Sequence, residues 1–101
     1  MTCELSLRVK GLKAHFDALA HIKVLVARDI ADIERRLDRA LQLEASIGTP
    51  IPSQLILDYD QAHTRLENVE DAQRKTFDAW CHALNKLALR RSDEHELLKA
   101  S

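Results

Sequence analysis

Gly48-Thr49-Pro50-Ile51-Pro52 decides the fold of this 101-residue chain. It holds one of the two glycines and both prolines. On either side runs a long stretch with apolar residues at helical spacing and almost no breakers. Gly suits the left-handed residue that closes a helix, and Pro suits the first turn of the next one. The segment therefore predicts two long helices joined by a tight turn at 48–52, an all-α, coiled-coil-like antiparallel hairpin.

Upstream of the turn, Val9, Leu12, Phe16, Leu19, Lys23, Val26, Ile30, Ile33, Leu37 and Ala40 recur at alternating steps of three and four. That is a heptad seam, interrupted once by Lys23. Downstream, Leu55, Tyr59, Ala62, Leu66, Val69, Gln73, Thr76, Trp80, Ala83 and Leu87 repeat the pattern. The first helix is expected over about 4–47 and the second over about 53–91. Thr49 or Ser53 is the expected cap of the second helix. The apolar spacing lapses at Arg90-Arg91-Ser92-Asp93, which predicts a short turn or frayed tail over 92–101. Cys3, Leu5, Leu7 and Val9 also alternate as a strand would. A lone strand has no partner within the chain, so residues 1–10 are read as helix, with an extended arm as the alternative.

Folding about Thr49–Pro50 predicts a register. Leu37 falls near Ala62, Ile33 near Leu66, Ile30 near Val69, Tyr59 near Ala40, Leu19 near Trp80 and Phe16 near Ala83. Large side chains then face small ones at several levels, as a packed seam requires. Lys23, Gln73 and Thr76 form a polar seam layer. Either the Lys23 methylenes lie on the seam with the ammonium in water, or the layer fixes register or oligomeric state.

The apolar faces are wider than one seam. Ala18, Ile22 and Leu25 widen the first helix, and Phe77, Cys81, Leu84 and Ala88 the second, on different flanks. Exposed strips of this kind mark interfaces. The expected solution is a homodimer closing into a four-helix bundle, or a hetero-complex in which a partner supplies the missing helices. The expected partner or dimer interface is Ala18, Ile22, Leu25, Phe77, Trp80, Cys81 and Leu84. The whole chain, 1–101, reads as one domain.

Composition narrows the function classes. Hydrophobic residues make up 46% and charged residues 31%, a foldable balance, and aromatics only 4%, so any core is mainly aliphatic. The net charge of −1 lacks the basic excess typical of nucleic-acid binders. Arg35, Arg36 and Arg39 form one basic cluster and Arg90 with Arg91 another, but acids are interleaved with both. A nucleic-acid-associated regulator using these arginines on a dimeric bundle is the alternative reading. No apolar run approaches the ~20 residues of a membrane span. No signal-peptide pattern opens the chain, so the expected location is the cytoplasm.

Chemistry is sparse. Cys3 and Cys81 lack CxxC spacing. His15, His21, His63, His82 and His95 invite a metal site, and the nearest motifs are Asp60-x-x-His63, Asp17 with His21 and Asp78 with His82. None places its histidine on the seam, and four well-placed ligands cannot be assembled. Cys81 with His82 is the one nucleophile–base option, but adjacent helical residues point about 100° apart. There is no phosphate loop, HExxH or nucleophile elbow. No catalytic residue, metal or cofactor is therefore expected. The reading is a non-catalytic protein–protein interaction module of adaptor, escort (chaperone-type) or small-inhibitor type. It would act through apolar helix faces, with Ile22, Leu25, Phe77, Trp80 and Leu84 as anchors.

Overall fold

Two helices, α1 (Glu4–Ile47) and α2 (Ser53–Ala100), pack against each other as an all-α hairpin, and no strand occurs among the described residues. The structure, a computed structural model, describes the backbone of residues 4–100 and the side chains of 4–91. The segment 1–10 is helical from Glu4 onward. Residues 1–3, Cys3 among them, and the side chain of His95 lie outside the described residues.

The α1 terminus closes as its sequence demands. Gly48 has φ 72°. Its N–H donates to the Glu44 carbonyl at 2.9 Å. This is the single-bond left-handed cap, in which the residue after the helix satisfies an orphan carbonyl four positions back. Beyond it, Thr49 and Ile51 each precede a proline, which pushes them toward extended backbone. α2 opens with the Leu55 N–H donating to the Pro52 carbonyl at 3.1 Å.

The second helix corrects the expectation at its far end. It does not stop near 91 and give way to a turn or frayed tail; it continues through Ser92 to Ala100. Residues 92–100 contain neither Gly nor Pro and are rich in Glu, Leu, Lys and Ala. Losing the apolar spacing removed a reason for burial, but it left helix propensity intact.

The chain divides into two compact units, one of residues 20–71 and one formed by 1–19 with 72–101. In the first, Ile30, Ile33 and Ala62 form the buried core, with Val26, Leu37, Leu55, Tyr59 and Leu66 packed against it. Ala62 has no exposed surface at all. A small residue opposite two isoleucines lets the backbones approach and the larger side chains interdigitate. Among the described residues of the second unit, Leu19, Thr76 and Ala83 are buried.

The seam positions are those the periodicity selects: each of the twenty residues named along the two stripes is buried or half-buried. Around the core the expected neighbours share one cluster, Leu37 with Ala62 and Leu66 with Ile33, while three other contacts fall elsewhere. Phe16 meets Phe77, with ring centroids 6.0 Å apart, six positions before Ala83. The Tyr59 hydroxyl makes a long hydrogen bond, 3.4 Å, to Glu34 Oε1, six positions before Ala40. Lys23 Nζ lies 4.0 Å from Glu70 Oε1, six positions before Thr76. Each of these contacts falls within a single unit; Phe16 and Tyr59 meet residues six positions from the expected ones, and Lys23 one that is three from Gln73.

Thr49, Pro50, Pro52 and Leu55 line one recess with Arg36, Arg39, Ala40 and Leu43, so the link runs back along the last turns of α1. An extended residue advances ~3.1 Å and a helical one only ~1.5 Å. Residues 48–52 are non-helical. The link, residues 48–52 as expected, is the strap that joins Ile47 to Ser53.

Candidate functional site

The expected interface residues fall into two sets, one in each unit. In the 20–71 unit, Ile22 and Leu25 lie three positions apart on α1 and are exposed. Spacing of three or four keeps helix residues on one face, so the two form a short apolar step. Val24, on another side of α1, is exposed as well.

In the other unit, Ala18 is exposed, while Trp80, Cys81 and Leu84 are half-buried. Phe77 anchors an aromatic group: its ring lies 6.0 Å from Phe16 and 6.1 Å from Trp80, at tilted angles. Such geometry avoids stacking like faces of the ring quadrupoles. Even so, Phe77 stays 45% exposed. Lys13 Nζ sits 5.9 Å from the Phe16 ring centroid and donates to Asp17 Oδ1 at 2.7 Å, giving this group a charged rim. The Trp80 indole N–H is buried with no hydrogen-bond partner. An unmet donor of this kind costs about 1–3 kcal/mol.

The polar positions of the seam resolve individually. Thr76 is buried, Gln73 is half-buried, and the Lys23 ammonium reaches toward Glu70 with about half of each side chain exposed. At 4.0 Å and that exposure the ion pair is worth well under 1 kcal/mol.

The basic clusters are surface features. Arg35 and Arg36 both pair with Asp32, at 3.4 and 3.0 Å. Asp32, Arg35, Arg36 and Arg39 line a groove of about 360 Å³. Arg90 and Arg91 are exposed. The strap recess beside Leu43 has a volume of about 200 Å³ and almost wholly apolar walls. Periodicity could not reveal that recess, because it is built by residues outside the helical pattern. The Pro-x-Pro spacing at Pro50 and Pro52, which favours extended backbone, is the signal that could have pointed to it.

Among the described residues, no group of three or more His, Cys, Asp or Glu side chains is placed to hold a metal ion. His15, His21 and His82 are exposed. His63 packs its ring edge-on to Tyr59 at 4.5 Å, and its Nε2 is buried without a hydrogen-bond partner. Cys81 is a free, half-buried thiol. No described helix is long and apolar enough to cross a membrane.

No family model, curated protein or solved structure matches this chain. The functional reading rests on its own residues.

Proposed function

We propose that this chain is a non-catalytic protein–protein interaction module whose apolar helix faces dock on another helical surface. Its first partner is a second copy, completing a four-helix bundle. Adaptor, escort and small-inhibitor roles all use this mechanism. The proposed setting is the cytoplasm, where an unpaired thiol such as Cys81 stays reduced.

One observation carries the reading. No large side chain among the described residues is fully buried, while Phe77, Ile22 and Leu25 are 45, 43 and 45% exposed. A two-helix hairpin has one seam, and apolar surface beyond it gains free energy only against another molecule, at about 25 cal/mol per Å² covered. Phe77 is the strongest anchor, because a large aromatic side chain beside a charged rim is the usual composition of a hot spot.

Light scattering across a dilution series tests the proposal. The expected result is a mass near twice that of the chain, falling toward one chain on dilution. Phe77→Asp should shift the equilibrium to monomer with helical circular dichroism retained. A folded Phe77→Asp protein that associates as fully as the parent overturns the reading. The nucleic-acid alternative, through Arg35, Arg36, Arg39, Arg90 and Arg91, is weakened by Asp32 seated among the first three. Nucleic-acid binding that falls steeply with salt would favour it instead.

A further inference from the structure

The strap recess and the arginine groove share two residues, Arg36 and Arg39. They are neighbouring halves of one surface in the 20–71 unit. The recess has Ala40, Leu43, Pro50, Pro52 and Leu55 in its walls. At about 200 Å³ it is smaller than the 300–1,000 Å³ of typical small-molecule sites, and it suits one aliphatic side chain. The groove sets three guanidinium groups against the single carboxylate of Asp32. Arg35 and Arg36 already share that carboxylate. Arg39 stands at the border of recess and groove with an exposed side chain. The two prolines fix φ along the strap, so that wall is formed before anything binds.

We propose that this surface binds an acidic linear segment of a partner protein. One apolar side chain of the segment enters the recess, and neighbouring carboxylates pair with Arg39 and with Arg36 across the groove. Guanidinium groups favour carboxylates through paired, charge-assisted hydrogen bonds. The recess selects peptide over nucleic acid, because its walls offer aliphatic contact and no aromatic face on which a base could stack. The site involves none of Ile22, Leu25 or Phe77, so it stands or falls separately from self-association.

The test uses the full chain and a fluorescein-labelled peptide in which one leucine is flanked on each side by paired glutamates. Fluorescence anisotropy should show saturable binding that weakens as salt rises. Replacing the peptide leucine by alanine, Leu43→Asp in the protein, or Arg39→Glu in the protein should each weaken binding at least about tenfold. The two peptide exchanges are read on the unaltered protein, so a variant that loses its fold does not decide the result. A peptide with lysines in place of the glutamates should not bind. Four results overturn the proposal: no saturable binding up to ~1 mM peptide, equal binding of the lysine peptide, indifference to loss of the leucine, or displacement of the peptide by a single-stranded oligonucleotide at lower concentration.

Discussion

Around Ala62, aliphatic side chains from both helices close over a residue with no exposed surface. Around Phe77, three aromatic rings gather and the central one remains 45% exposed. The 20–71 unit thus closes a small aliphatic core, while its Ile22, Val24 and Leu25 stay exposed. The unit formed by 1–19 and 72–101 buries Leu19, Thr76 and Ala83 and leaves its largest rings partly in water. Similar heptad spacing supports both. The difference lies in which residues fill it: alanine facing isoleucine permits close packing, whereas clustered aromatics are too broad for a single seam to cover. Each unit thus holds buried seam residues beside apolar side chains left in water.

Substitutions can break this contrast. The largest effect is expected at Ile33→Ala, which removes buried methylenes from the core and should cost about 3 kcal/mol. A lowered urea midpoint with an unchanged slope would show it. Phe77→Ala should cost about 1 kcal/mol or less in the monomer, since much of the ring is already hydrated. Its main effect should be on association, read as molar mass at fixed concentration. If Phe77→Ala destabilises the monomer as much as Ile33→Ala, the two units do not differ as described.

The two glycines sharpen the comparison further, because a methyl group added at either meets no atom within 4 Å. Only the backbone then decides the outcome. Gly48→Ala forces a side chain into the left-handed region and should cost about 1 kcal/mol. Gly11→Ala lies within α1 and should gain about 0.5–1 kcal/mol. Thermal melts of the two variants should move in opposite directions. The smallest effect belongs to Glu70→Gln, which removes the partner of Lys23. With both side chains about half exposed, it should cost no more than about 0.5 kcal/mol, and high salt should erase the difference.

Much of the fold was legible in the residues. The turn, both seam stripes and the start of each helix follow from Gly48, the prolines and the alternation of threes and fours. The apolar strips were legible too, since Ile22, Leu25 and Phe77 stand off the seam by spacing alone. The end of α2 was not, since apolar periodicity fades at 91 while helix propensity carries the helix on to Ala100. The recess beside Leu43 was not visible, since it needs the strap to lie along α1, and no periodic rule describes an extended link.

The sequence by itself determined which residues face the seam, because helical spacing sets side-chain direction independently of any neighbour. Tertiary structure decided which residue meets which. A heptad seam presents similar apolar groups at every turn, so several registers satisfy it almost equally. Phe16 against Phe77, Lys23 near Glu70 and Tyr59 near Glu34 are pairs that spacing alone does not choose.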